Sequence, residues 1–294
     1  MRTKSNEYPG MICQLEYKTK KVKLIHAVFF AVMLLLCAIC LLPVVWMFFA
    51  SFKDTKEFLR IPPSFFPETI DLSKMVRTWT ENRIGRIFIN TLFMAAGDIV
   101  FSIVSNGLAG YVISRLKPRG SRLIFMLIMW TMMLPNNVSQ VPLFMTFTNF
   151  PVTGWNLSNT YLPMWMLAGA NCYYVLLFKS FFDSISISFF ESAKIDGCSN
   201  LKMFSKIVLP LSLPIMAVIV IFQFNAAWGN YFWPMLLINN DMQVIGQRIL
   251  TLKGQMVIDQ YVMAMFFVII PPSIIYIIFQ KQIIGGLTLG GVKG

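Results

Sequence analysis

The sequence predicts an all-α, polytopic membrane protein with six transmembrane helices and a cytoplasmic helix-turn-helix loop. Three observations carry that expectation. The 294 residues are 56% hydrophobic and only 13% charged, with a mean hydropathy of +0.65, whereas soluble domains carry about 25% charged residues. The apolar residues fall in six runs long enough to cross a bilayer. Between the fourth and fifth runs lies a short, charged, Gly-broken stretch, 186–210.

A hydrocarbon core about 30 Å thick needs roughly 20 apolar residues per helix. Six segments qualify, at about 24–50, 88–113, 123–146, 159–181, 207–237 and 262–284. The first follows the basic residues Lys18, Lys20, Lys21 and Lys23. Its apolar stretch is too long for a signal peptide and lacks a clean small-residue cleavage site, so it reads as a retained span. The resulting division is a cytoplasmic tail 1–23, a transmembrane domain 24–284 containing the loop 186–210, and a cytoplasmic tail 285–294.

Six spans leave both termini on one side. With that side inside, the cytoplasmic segments hold fourteen Lys and Arg against nine outside. Short loops weigh most in the positive-inside rule, and Arg115, Lys117, Arg119 and Arg122 form the clearest of them. The net charge of +12 therefore points to membrane orientation rather than nucleic acid, because the cations are dispersed among apolar runs. The cysteines at 13, 37, 40, 172 and 198 imply no disulfide framework. Cys37 and Cys40 lie within a span with no further ligand nearby, so no metal site is expected.

Several spans make poor helices. Asp98 is the one acid well inside a span, with Ser102, Ser105 and Asn106 forming a polar stripe beside it. It faces either an aqueous cavity or a partner helix. In span three, Pro135 and Pro142 leave carbonyls unpaired that lipid cannot satisfy. Asn136, Asn137 and Gln140 then face inward, unless this is simply the outer end of the span. Span five carries Asn225, Trp228, Gly229, Asn230, Tyr231, Trp233 and Pro234. Amides and flat rings suit a sugar, and they equally suit an interfacial aromatic belt. Asn171 and Tyr173 of span four complete the candidate pore set.

The loop 186–206 has its own local logic. Ser188 and Glu191 are spaced as a capping box, Gly197 supplies the positive φ that ends a helix, and Ser199 is placed to cap a second helix through Lys206. Leu201, Phe204 and Val208 form one apolar stripe. Pro210 suits the first turn of a helix that begins afresh. The product is a knob with the small residues Ala193 and Gly197 near its tip, open to a partner's surface or laid on the membrane.

Glu191-Ser-Ala193-x-x-Asp196-Gly197, nine residues, then Ile207-x-Leu209-Pro210 resembles the EAA loop of ABC-importer permeases. Other motifs extend the likeness to the second permease of carbohydrate importers of the maltose type. These are Leu42-Pro43-Val-Val-Trp46, Ser51-Phe-Lys53, Asn90-Thr91-Leu92, Ala109-Gly110-Tyr111, Met132-Met133-Leu134-Pro135, Trp228, Trp233-Pro234 and the tail 286–294. Two positions depart from the pattern. Ser192 stands where Ala is usual, and Trp228-Gly229-Asn230 replaces the frequent Trp-Asn-Asp.

The resemblance implies one half of a heterodimeric permease, working with a second permease subunit, two ATP-binding subunits and an extracytoplasmic solute-binding protein. It implies a sugar or oligosaccharide cargo and a bacterial or archaeal cytoplasmic membrane. Glu191, Ser192, Ala193, Asp196, Gly197, Leu209 and Pro210 would couple to the ATPase, the tail would reach the ATPase pair, and the 238–261 loop would probe the binding protein. The chain has no phosphate-binding GxxxxGK[ST], no HExxH and a single histidine, His26. It is therefore expected to be no enzyme and to hold no cofactor, with ATP and Mg bound by the partner. The rival reading is an ion-coupled secondary transporter, which would need ionisable partners inside the membrane and usually internal symmetry.

Overall fold

The computed structural model describes residues 20–289, without the side chains of 20, 136, 240 and 281–289. Most of the predicted N-terminal tail (1–19) and the end of the C-terminal tail (290–294) lie outside that range. Every regular element among the described residues is helical. The chain divides into two compact units, 1–71 and 72–294.

In the first unit, α1 (Lys20–Phe52) is a single helix of 33 residues with Pro43 inside it. At 1.5 Å per residue it is about 50 Å long, more than a bilayer core requires. Nearly all of its apolar side chains are exposed, as suits a surface meant for lipid or another chain. Below it the backbone knots on itself. Asp54 caps α2 (Thr55–Phe58) by accepting from the Glu57 N–H at 2.7 Å. The buried Lys53 ammonium donates to the Ser64 carbonyl, and the Glu57 carboxylate accepts from Ser64 Oγ (2.9 Å) and the Glu68 N–H (3.1 Å).

The second unit opens with α3 (Leu72–Glu81) and then α4 (Ile84–Phe101). The latter continues through a π-helical turn (Ser102–Asn106), α5 (Gly107–Tyr111) and a second π turn (Val112–Leu116). Predicted span two is thus one apolar helix, 84–116, a little longer at each end than expected. α3 is fixed to α16 (Ile258–Leu289) by a buried ion pair, Lys74 Nζ to Asp259 Oδ2 at 3.1 Å.

The segments predicted as spans three and four are broken rather than straight. Span three comprises α6 (Ser121–Thr131), a 3-10 turn (Asn136–Ser139) and α7 (Gln140–Thr148). The break falls at Pro135, whose extended backbone (ψ 129°) cannot continue a helix. Span four comprises α8 (Leu162–Gly169) and α9 (Cys172–Ser184), joined at Asn171. The loop follows as α10 (Ile187–Ile195) and α11 (Asn200–Met203), which runs through a π turn (Phe204–Val208) into α12 (Leu209–Leu211). Span five is α13 (Leu213–Trp228), with α14 (Phe232–Leu237) and α15 (Ile245–Leu252) between it and α16.

By length and composition three described helices can cross a membrane unaided: 21–52, 84–116 and 258–280. Two further pairs qualify if each is a bent span, α9 with α10 (77°) and the 200–211 segment with α13 (78°).

The packing explains the glycines of span two. α4 packs on α8 and α13, and α5 on α9. A Cβ on Gly97 would sit 2.1 Å from the Trp165 ring, and one on Gly110 would sit 2.8 Å from Phe178 Cβ and 3.1 Å from the Lys179 backbone nitrogen. Only hydrogen fits at either contact.

Candidate functional site

A cavity of about 720 Å³ opens within the second unit. α4 contributes Asp98, α13 contributes Gln223, Ala226 and Ala227, and the α8–α9 break contributes Asn171 and Tyr173. Thr131, Ser139, Gln140, Tyr174, Asn230 and Trp233 add further polar and aromatic groups to the lining.

Asp98 is 2% exposed. Its carboxyl group is hydrogen-bonded to the Gln223 side chain, while Oδ1 is buried without a hydrogen-bond partner. Asp98 thus bonds a neighbouring helix and borders the cavity at once. Asn171 Oδ1 caps α9 by accepting from the N–H groups of Tyr173 (3.0 Å) and Tyr174 (3.2 Å). The break before it is held from span two. Asn106 donates to the Ala168 carbonyl (2.9 Å) and accepts from the Asn171 N–H (3.0 Å), which satisfies the groups that an interrupted helix leaves open.

Asp98, Gln140, Asn171, Tyr173 and Asn230 of the sequence-derived pore set line this cavity. The others do not. Asn137 accepts from Gln140 (3.3 Å) but is not part of the wall, and the Asn136 side chain lies outside the described residues. Asn225 turns back to the Ile221 carbonyl of its own helix (3.0 Å). Trp228 is buried in the core: it stacks on Phe224 with ring centres 5.4 Å apart and donates to the Val268 carbonyl (3.0 Å). It packs α13 against its neighbours. Sequence reasoning missed Gln223, although an amide in the middle of so apolar a run was the available signal.

Residues 187–211 fold as short helices, and four details differ from the sequence reading: the first cap, the place of Pro210, the burial of Ala193 and the exposure of Leu201. The first cap is Ser186 rather than Ser188: its Oγ accepts from the Ser188 N–H at 3.4 Å, so the Ser188–Glu191 capping box does not form. Ile185 is extended (ψ 134°), so the helix starts two residues earlier than the pattern suggested. Gly197 ends α10 with φ +72°, and Ser199 caps α11 through the Lys202 N–H. Pro210 lies in α12, which continues from the π turn, so no helix begins afresh there; the fresh start is at Leu213, with Pro214 in its first turn.

Glu191, Ser192, Asp196 and Gly197 are exposed, and Leu209 is half-buried. Ala193 is instead buried in a cluster with Phe182, Phe190 and Met203; its small side chain faces the molecule's own interior. Phe204 and Val208 of the predicted stripe are buried as well, but Leu201 is exposed, as are Ile187, Phe189 and Ile195. Arg115 at the end of span two donates to the carbonyls of Phe182 and Ile185 at the C-terminus of α9.

At the segment between α14 and α15, Asn90 donates to the carbonyls of Asp241 (3.2 Å) and Gln243 (3.0 Å), and Thr91 Oγ1 accepts from the Ile245 N–H (2.8 Å). Those contacts tie the segment before α15 to span two.

A membrane-embedded helical bundle, a polar cavity within it and an exposed knob together define a transport component of a membrane. Residues 99–287 match the family described as binding-protein-dependent transport system inner membrane component, and the chain belongs to it. A subunit of this family is a permease of an ABC transporter and not itself an enzyme.

Among curated relatives, the diacetylchitobiose uptake system permease of Streptomyces coelicolor is 28% identical over 90% of this chain and 88% of its own. The arabinooligosaccharides transport system permease of Halalkalibacterium halodurans is 29% identical over 87% and 92%. The sn-glycerol-3-phosphate transport system permease of Salmonella typhi is 29% identical over 85% and 92%. Among solved structures, a chain of a bacterial ABC transporter involved in import of the acidic polysaccharide alginate superposes with a TM-score of 0.76. It is 23% identical and covers 90% of this chain and 98% of that one. That likeness establishes a shared fold.

Proposed function

We propose that this chain is a permease subunit of a sugar or oligosaccharide importer, moving its cargo on ATP hydrolysed by a separate subunit. The observation that carries the reading is the cavity. An acid, amides and aromatic rings around about 720 Å³ are the groups that bond hydroxyls and lie against a sugar ring. The printed roles of the relatives, several of them glycan importers, support the same class.

The knob supplies the coupling surface. Exposed Glu191, Ser192, Asp196 and Gly197 are proposed to meet the ATPase. They are joined by Ile187, Phe189 and Ile195, apolar side chains that are exposed among charged ones. Leu209 and Pro210 connect the knob to span five. The chain would work as half of a heterodimer with two ATP-binding subunits and an external binding protein. Six spans, counting the broken ones, with both termini inside would place residues 186–210 in the cytoplasm, 1–23 and 285–294 forming the tails.

The test is reconstitution. The tagged chain, purified with its companions and placed in proteoliposomes with ATP inside and binding protein outside, is expected to accumulate oligosaccharide only with hydrolysable ATP. Accumulation driven by an ion gradient without ATP would reject the reading.

A further inference from the structure

The cavity has a sign. Its described lining includes one acidic side chain, Asp98, the six amide or aliphatic hydroxyl side chains of Thr131, Ser139, Gln140, Asn171, Gln223 and Asn230, and no Lys, Arg or His. Asp98 is buried, and Oδ1, one of its two oxygens, is unpartnered. We infer that Asp98 is a specificity-determining residue, and that this half of the pathway passes uncharged, hydroxyl-rich glycans and rejects uronates and sugar phosphates.

The inference rests on the sugar-importer reading and narrows it. A carboxylate oxygen without a partner is an acceptor for a sugar hydroxyl, and hydroxyls are donors that a neutral glycan carries on nearly every carbon. Gln223 holds the carboxyl group from the neighbouring helix, and Oδ1 is fully covered, so cargo engages it only after the side chain turns toward the cavity. A uronate or phosphate would enter beside this acid in a wall whose described residues include no cation, so it loses hydration without compensation and is repelled whenever Asp98 is ionised. The distinction matters here because relatives of similar identity are named for both kinds of cargo: arabinooligosaccharides and diacetylchitobiose on one side, glycerol 3-phosphate and polygalacturonan on the other.

The experiment measures binding to the purified whole complex, without binding protein, by saturation-transfer NMR. The probes are arabinotriose and diacetylchitobiose as neutral glycans, and trigalacturonate and glycerol 3-phosphate as anionic ones. At least one neutral probe is expected to bind about tenfold better than either anion, the effect of one nearby like charge. Asp98→Asn, which keeps the side-chain shape, is expected to lower that ratio severalfold. Gln140→Arg, at a half-buried position in the wall, is expected to admit trigalacturonate.

Equal or better binding of the anions, or binding of no probe, overturns the inference. So does an unchanged ratio in both variants, which would leave Asp98 a strut between α4 and α13. ATP-driven uptake by the proteoliposomes is scored separately. If a uronate is accumulated, the importer stands and only the charge selection falls; if no sugar is accumulated, both fall.

Discussion

The guanidinium of Arg115 lies 4.5 Å from the centre of the Phe190 ring while donating to the carbonyls of Phe182 and Ile185. One side chain at the end of span two thus caps the last turn of α9 and stacks on the helix after it. Beside it, Ser114 Oγ donates to Asp183 at 2.5 Å, and Asp183 pairs with Lys179 at 2.7 Å. These contacts join the first helix of the knob to the end of the helix that carries Asp98.

Replacing Arg115 should break that link. Each charged hydrogen bond lost costs about 1.5–3 kcal/mol. Arg115→Ala is expected to cut sugar uptake at least about tenfold while much of the ATPase activity remains. Arg115→Lys should restore little, because a point charge cannot serve two carbonyls and a ring face together. Parallel uptake and phosphate-release assays on proteoliposomes give the ratio; a coupled Arg115→Ala complex rejects the link.

Gly197 should tolerate size but not shape. Nothing lies within 4 Å of a Cβ built there, yet φ is +72°. A left-handed conformation costs an ordinary L-residue about 1–2 kcal/mol, and a β-branched one more. Gly197→Asn is expected to transport nearly normally and Gly197→Val to be uncoupled while still reaching the membrane. Equal uptake by the two variants would show that the turn is dispensable.

Gly97 presents the opposite case. A methyl group there overlaps the Trp165 indole, whose Nε1 is already committed to the Met94 carbonyl at 3.1 Å. Gly97→Ala is expected to destabilise the protein by about 1–3 kcal/mol, read as a lower melting midpoint in detergent. An unchanged midpoint would mean that Trp165 has room to move.

The Lys74–Asp259 pair is buried at 3.1 Å. Lys74→Met alone leaves a buried carboxylate and should cost about 3–5 kcal/mol. Adding Asp259→Leu should recover much of it, because two apolar groups need no compensation. The same melting assay measures the coupling between the two substitutions.

The knob was legible in the sequence because Gly197 and Ser199 declare themselves chemically at single positions. The choice between Ser186 and Ser188 was not, since two serines two residues apart offer the same oxygen and only the extended backbone at Ile185 decides. The break at Pro135 followed from a residue that cannot continue an apolar helix, whereas the break before Asn171 was not foreseen, because an amide in an apolar run signals a polar contact and not where the helix stops. Trp228 and Asn225 misled because their chemistry suits a sugar whichever way they face, and facing is settled by packing across α4, α13 and α16. Gln223 went unnoticed for the same reason.

The Asn106 contacts also bear on how this protein is made. Its amide sits at a π turn, yet the backbone groups it serves belong to residues 168 and 171. The Asn171 partner is separated from it by 65 positions. At roughly 5–20 residues per second, the ribosome delivers that partner about 3 to 13 seconds after Asn106 emerges. For that interval the amide can bond only Ser102 Oγ of its own helix (3.2 Å), so the broken segment 168–171 finds its polar partner already made when it is synthesised.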